Sequence, residues 1–415
     1  MAPRAIADIR ALGVHRSPGL QVIFGSSIMM IMGASLIYPV LPVIAEALDI
    51  GEGNIGLVLT AFTLPAVFLS PVAGLLIDRR GRKQVLVFSL LLYGAAGLSI
   101  AFVDSLAMLL GLRALQGIGY AGIMPLVVVL IGDTFTKEQE TTAQGLKVVL
   151  DRMTLLVLPA AAGVLATIAW QAPFVLYSLA IPLGLAAARW LPEPAIEKHE
   201  QTHAYVKEVF LASLRVRSMA IFSMSSMRFF LEMSFFIYLP LYALNELGVS
   251  VGKGGLLFSV FAVGSIATAG SVDALARRFE RVPMVVGAFL VQAACLGVAS
   301  VAPNVLVLGL VMLAFGLANG VISPAQKSLL TQSVPGQLRG GFVAADRISQ
   351  NTAKSIAPII AGAIVVFSSI AVMFQVMALI AASWALVVGA LQLRGMLGPP
   401  VEALGFASNP STGSE

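Results

Sequence analysis

Residues 54–103 read NIGLVLTAFTLPAVFLSPVAGLLIDRRGRKQVLVFSLLLYGAAGLSIAFV. Two apolar runs, 54–77 and 84–103, flank a short charged link, Asp78-Arg79-Arg80-Gly81-Arg82-Lys83. Each run has about the 20 residues that a helix needs to cross the hydrocarbon core of a bilayer. Within lipid a chain must satisfy its own backbone polar groups, so open strands are excluded and the runs read as helices. The stretch is therefore a helical hairpin whose charged turn lies at one membrane face.

Read outward from this hairpin, the chain offers twelve such runs. In the first half they lie near 19–45, 54–77, 84–103, 106–132, 145–168 and 173–190. In the second half they lie near 219–245, 254–275, 283–302, 304–330, 341–366 and 371–393. Composition agrees: of 415 residues, 58% are hydrophobic and 11% charged, with mean hydropathy +0.92. Soluble globular proteins carry about 25% charged residues. The run at 19–45 is too long for the apolar core of a signal peptide and reads as the first span.

The net charge of +5 does not point to nucleic acid, because the basic residues sit on loops and helix ends and form no single patch. The one cysteine, Cys295, excludes an internal disulfide and a cysteine metal framework. His199 and His203 in the central loop read as solvated side chains. We find no HExxH, no G-x-S-x-G, no metal cluster and no ATP-binding loop, so neither an enzyme nor an ATP-driven pump is expected. The expected fold is an all-α membrane protein of twelve helices in two six-helix bundles. Residues 1–190 form the first bundle, 191–218 a central loop, 219–394 the second bundle and 395–415 a disordered tail.

Orientation follows from lysine and arginine, which collect on the cytoplasmic side. With the N-terminus inside, eighteen of the 26 basic residues fall on inner loops and tails and one, Lys253, on an outer loop. The other seven lie within spans. Both termini are thus expected in the cytoplasm of a cell, or bacterial inner, membrane.

The two halves echo each other. Gly117 and Pro125 in span 4 recur as Gly316 and Pro324 in span 10, and Pro159 and Gly163 in span 5 recur as Pro358 and Gly362 in span 11, each 199 positions on. Ile37-Tyr38 recurs as Ile237-Tyr238, 200 positions on. Two similar six-helix halves with a site between them is an architecture of secondary transporters, in which one half rocks against the other.

The stretch Gly74-Leu75-Leu76-Ile77-Asp78-Arg79-Arg80-Gly81-Arg82-Lys83 resembles the signature loop of the major facilitator superfamily, G-x-x-x-D-R-x-G-R-[KR], at every defined position. Its counterpart in the second half is degraded, keeping Gly270, Asp273, Arg277 and Arg278. Arg113-Ala114-Leu115-Gln116-Gly117 looks like the R-x-x-Q-G motif of the family's drug exporters, and Leu36-Ile37-Tyr38-Pro39 is similar to the same subgroup. The antiporter motif G-P-x-x-G-G survives in span 5 only as Pro159 and Gly163. The resemblance implies a secondary carrier, a monomer without a cofactor. It also implies a conformational gate built from Gly74, Asp78, Arg79, Gly81, Arg82, Lys83, Gln116, Gly117 and Pro159.

Ionisable residues inside a membrane are costly and usually face a cavity. Here they are Arg113, Lys147, Asp151, Arg152, Arg228, Glu232, Lys327, Asp346, Arg347 and Lys354. Asp346, Gln350 and Lys354 recur every four residues, with Arg347 and Asn351 alongside, as a polar stripe on span 11. Lys147 with Asp151 and Arg228 with Glu232 are also four apart and are candidates for ion pairs. Lys327 reads as a residue of the inner rim.

Seven bases face three acids. Surplus buried positive charge calls for an anionic or zwitterionic ligand. The expected binding residues are Arg113, Arg152, Arg228, Arg347, Lys354, Gln350 and Asn351. Phe229, Phe230, Met233 and Tyr238 of span 7 supply apolar contact. A coupling proton needs a carboxylate whose affinity responds to burial and to a nearby cation. Glu232, Asp346 and Asp151 are the candidates. The expected function is export of a small amphiphilic compound (a drug, an organic anion or a siderophore-like metabolite) in exchange for protons. Uptake by symport, or lipid flipping by the same fold, remain open at this point.

Overall fold

The computed structural model describes residues 17–192, 203–270, 272–334 and 338–397. The expectations for residues 1–16, His199 and the tail from 398 fall outside these residues. Twelve helical segments are long and apolar enough to cross a membrane, and among the described residues there is no strand. We call their main helices α1 (Pro18–Ser35), α2 (Leu57–Arg80), α3 (Arg82–Ser99), α4 (Leu106–Thr134), α5 (Lys137–Ala166) and α6 (Ala180–Trp190). The second six are α7 (Val216–Asn245), α8 (Val251–Ala269), α9 (Arg281–Ala299), α10 (Val305–Thr331), α11 (Arg339–Phe367) and α12 (Ile370–Leu393). The first span continues past α1 through a 3-10 turn, Tyr38–Val40, into a short helix, Leu41–Ala47. Part of the central loop is itself helical, at His203–Ser213.

Local chemistry fixes several helix starts. The side chains of Ser17, Ser105, Asn304 and Ser369 accept from backbone amides of the first turns of α1, α4, α10 and α12. Each satisfies a donor that has no partner within its helix. Gly81 closes α2 and opens α3 at φ +91°, a left-handed conformation that a side chain would strain. The sharp turn in the charged link depends on it.

The internal repeat is also a structural repeat. A Cβ added to Gly117 would strike the backbone oxygen of Phe62, and one added to Gly316 would strike that of Phe261, 199 positions on. These glycines let α4 lie against α2 and α10 against α8 backbone to backbone, the packing mode membrane helices favour. Pro125 and Pro324 sit inside α4 and α10, and Pro159 and Pro358 inside α5 and α11.

The halves meet at the end opposite the Asp78–Lys83 link. There α5 runs against α8 and α11 against α2. The backbone oxygen of Pro159 lies 2.5 Å from where Gly255 would carry a Cβ, and Gly163 faces the oxygen of Val251 at 2.8 Å. By the repeat, Gly362 faces the oxygen of Gly53. Hydrogen bonds across the halves join Asn245 to Glu52 at 2.5 Å, Ser259 to Leu156 O at 2.6 Å and Thr60 to Ser355 O at 3.2 Å. Tyr38 stacks on Phe258 and meets Phe236 edge-on, sealing the space beneath.

A valine at 255 would overfill this seal at a cost of about 1–3 kcal/mol. Gly255→Val should shift the carrier about tenfold toward the form open at this end. Spin labels across the α2–α11 contact should then report a longer distance, and an unchanged distance distribution would show that the seal tolerates the added volume.

Candidate functional site

Between the halves, on the link side of that seal, lies a cavity of about 250 Å³. Its charged lining consists of Asp151 and Arg152 from α5, Arg228 and Glu232 from α7, Lys327 from α10 and Lys354 from α11. Tyr38, Phe62, Tyr120, Phe229, Met233 and Phe236 supply apolar walls, and Ser35, Thr63 and Ser323 hydroxyls.

The charges are not spread evenly. Asp151 is held by Lys147 at 2.6 Å and by the Ser27 hydroxyl, so this carboxylate is already neutralised from its own half. Glu232 lies 3.6 Å from Arg228 and accepts from the Asn319 amide at 2.9 Å. The Phe229 ring is flanked by two cations, the Arg228 guanidinium at 3.9 Å and the Lys354 ammonium at 4.0 Å. Ring faces attract cations in this geometry. The Nε of Arg228 is buried without a hydrogen-bond partner. Arg152, Lys327 and Lys354 have no carboxylate within ion-pair distance among the described residues. One cavity thus joins an excess of cations, an aromatic surface and one carboxylate with a single loose cation partner.

Several of the expected site residues lie elsewhere. Arg113 is fully buried and does not line the cavity. Its guanidinium donates to Gln116 Oε1 at 2.7 Å, Gly33 O at 3.1 Å and Val58 O at 3.3 Å, and lies 4.3 Å over the Phe62 ring. It joins α1, α2 and α4. Asp346 is buried within the second half, accepting from Gln350 at 2.7 Å and Gln326 at 3.4 Å. Asn351 is buried and Arg347 half-buried, and neither lines the cavity. Phe230 packs on the core. Tyr238 belongs to the seal, its hydroxyl donating to Gly53 O at 3.4 Å. Lys327, assigned from sequence to the inner rim, lines the cavity instead.

Of the gate residues, Arg82 pairs with Asp133 at the end of α4, while Arg79 is exposed. Lys83 is half-buried, and Gln116 and Gly117 lie in the core contacts between α2 and α4. The surroundings of Gly74 and the side chain of Asp78, both within α2, fall outside what the structure describes. Asn319 and Tyr120, 199 positions apart, were not singled out from the sequence. Their shared offset and their depth in spans 10 and 4 were the available signal.

Two six-helix halves around a charged central cavity, sealed at one end, have the architecture of a secondary membrane transporter. The profile of the Major Facilitator Superfamily matches residues 23–346 and 221–406, and the chain belongs to that superfamily. It is a transporter and not an enzyme. It is 38% identical over 124 residues to the bacillibactin exporter of Bacillus subtilis (strain 168), covering 29% of this chain and 31% of that protein. It is 25% identical over 189 residues to multidrug resistance protein 2 of the same organism, covering 45% and 47%. It is 26% identical over 153 residues to the quinolone resistance protein NorA of Staphylococcus aureus, covering 37% and 39%. The matches thus span about a third to a half of these relatives' lengths. A bacterial homologue of the human lysosomal transporter Spinster, inward-facing and unoccupied, shares the fold at TM-score 0.73 and 15% identity, covering 90% and 97%. The D-xylose-proton symporter does so at TM-score 0.70 and 16% identity, covering 88% and 96%.

Proposed function

We propose that this transporter exports a small amphiphilic compound bearing an anionic group, in exchange for protons, across a cell membrane whose cytoplasmic side faces the Asp78–Lys83 link. The observation that carries the reading is the excess of cations in the cavity. Arg152, Lys327 and Lys354 have no acidic partner there, and Asp151 is already engaged by Lys147. The basic residues of the loops favour this orientation, and the exporter relatives favour the direction. The protein works as a monomer in lipid.

The Arg228–Glu232 pair bears on which substrate allows exchange. An anion that takes Arg228 leaves Glu232 without its counter-charge and so favours a proton on it. Proton and anion then bind together, which is the logic of symport. A zwitterion differs, because its cationic end competes with the proton at Glu232 while its anionic end rests on Lys354 and Arg152. Antiport export therefore fits a zwitterionic form of the substrate, and a purely anionic substrate fits uptake by symport.

Inside-out vesicles with an acid interior test both readings. A zwitterion that dissipates the gradient as it enters supports exchange. Accumulation of anions only in right-side-out vesicles supports uptake. Lys354→Ala and Arg152→Ala should each weaken binding of acidic compounds about tenfold, the size of one lost charge-assisted contact. Cationic dyes remaining the better substrates of the unaltered protein would overturn the charge argument.

A further inference from the structure

The seal between the halves has two seams, α2 against α11 and α5 against α8, and the internal repeat relates them. Across the first, the Thr60 hydroxyl donates to the backbone oxygen of Ser355 at 3.2 Å. Across the second, the Ser259 hydroxyl donates to the backbone oxygen of Leu156 at 2.6 Å. Thr60 and Ser259 are 199 positions apart, and so are Leu156 and Ser355. The two bonds are one bond repeated. Other hydroxyls in these spans stay on their own helix: Ser26, Ser35 and Thr154 each donate to the carbonyl four residues back, at 2.7, 2.9 and 2.8 Å.

The match between the seams ends one step nearer the cavity. The Ser355 hydroxyl donates back across its seam to Thr63 Oγ1 at 3.1 Å, and Thr63 donates to Leu59 O on its own helix, also at 3.1 Å. The matching positions on the other seam hold Leu156 and Ala262, which carry no hydroxyl. At these positions the α2–α11 seam is therefore tied in both directions and the α5–α8 seam in one. Thr63 lines the central cavity, and so does Lys354, the chain neighbour of Ser355. The additional bond thus stands directly behind the cavity wall. Thr60, Thr63 and Ser355 are all buried, where a polar group left unpaired is costly. Opening the seam nonetheless orphans neither partner of this bond. Ser355 falls back on the carbonyl of Asn351, four residues before it, and Thr63 keeps Leu59 O. A bond that breaks without leaving a group unpaired acts as a reversible latch.

We propose that Thr63 and Ser355 are positioning residues for the rocking step: their bond holds the α2–α11 seam shut from the cavity side, so the two seams of the seal open unequally. The inference needs neither the coupling proton nor the direction of transport proposed above, and it stands or falls without them. The full chain is placed in lipid nanodiscs with Cys295→Ser, and spin-label pairs are set across the seal ends of α2 and α11, or of α5 and α8. Ser355→Ala and Thr63→Val should each raise the long-distance, open fraction of the α2–α11 pair about fivefold, the effect of one net hydrogen bond. The α5–α8 pair should change by less than about twofold in the same proteins. The double variant should open no further than either single one, because both substitutions remove the same bond. Thr63→Ser keeps the hydroxyl and should behave as the unaltered protein does. Ser259→Ala, which removes the bond of the other seam, should act on the α5–α8 pair instead. Four results overturn the proposal: no widening in either single variant, equal widening of both pairs, additive widening in the double variant, or Thr63→Ser opening as far as Thr63→Val.

Discussion

Arg113→Ala should lower the melting temperature of the purified protein in detergent by roughly 10 °C, the shift expected for a loss of about 3–5 kcal/mol in a unit the size of one half. Arg113 is among the largest fully buried side chains of the chain. It caps α1: the Gly33 oxygen falls at the end of that helix, where Ile37 N turns instead to Ala34 O. Arg113 and the Tyr177 hydroxyl, at 3.2 Å, are what Gly33 O meets. Alanine removes a donor to three acceptors and leaves a void between α1, α2 and α4.

Volume and hydrogen bonding separate in two further variants. The second half places buried Met312 at the equivalent position, 199 on, so the scaffold itself does not require a cation there. Arg113→Met keeps the volume and should cost less than alanine. Arg113→Lys keeps the charge, but one ammonium cannot reach Gln116, Gly33 and Val58 together, so it too should destabilise. Binding of acidic substrates by the folded fraction should stay within a few fold in all three. An unchanged melting temperature with a large loss of affinity would return Arg113 to the binding site.

The contrast between Arg113 and Lys354 shows what the sequence makes legible. Both are cations deep in spans, and periodicity alone treats them alike. Which neighbour each meets depends on the rotation of its helix among several others. In a membrane that rotation is poorly marked, because lipid and core are equally apolar. The stripe Asp346-Gln350-Lys354 shows the limit in detail. Four residues advance a helix by about 40° beyond a full turn, so eight residues turn the face by about 80°. Lys354 therefore reaches the central cavity while Asp346 is wedged between α7, α10 and α11. Spans are set by length and hydropathy, which survive errors of a few residues. The site is set by angle, which does not.

The repeat was the stronger guide. Residues 199 apart occupy matching places, so their differences in charge stand out. Lys147 and Asp151 form an ion pair on α5, where the positions 199 on hold Asp346 and Gln350 joined by a hydrogen bond. Gly33 and Glu232 are likewise 199 apart. The first half thus offers a backbone oxygen, already engaged by Arg113 and Tyr177, where the second half offers a carboxylate in the cavity wall, and the first half's own cavity carboxylate, Asp151, is tied to Lys147.

That asymmetry makes Glu232→Gln the decisive substitution. Glutamine fills the same space and still bonds to Asn319, but it neither takes up nor releases a proton, and it leaves Arg228 without a counter-charge. Proton-driven movement of substrate should fall at least tenfold. Exchange of labelled for unlabelled substrate at equal concentrations should persist within a few fold, because binding and rocking need no net proton transfer. Asp346→Asn should do less. Its partners Gln326 and Gln350 are neutral amides that reorient to an amide as readily as to a carboxylate, and it lies off the cavity. The measurement is gradient-driven transport against exchange, each followed from about pH 5 to pH 8, for both variants and the double variant. If Glu232→Gln keeps the full pH dependence while Asp346→Asn removes it, the coupling proton resides in the second-half core. The cavity carboxylate then serves only to hold Arg228. If the double variant keeps the pH dependence, neither carboxylate carries the proton and Asp151, despite its tie to Lys147, becomes the acid through which protons cross.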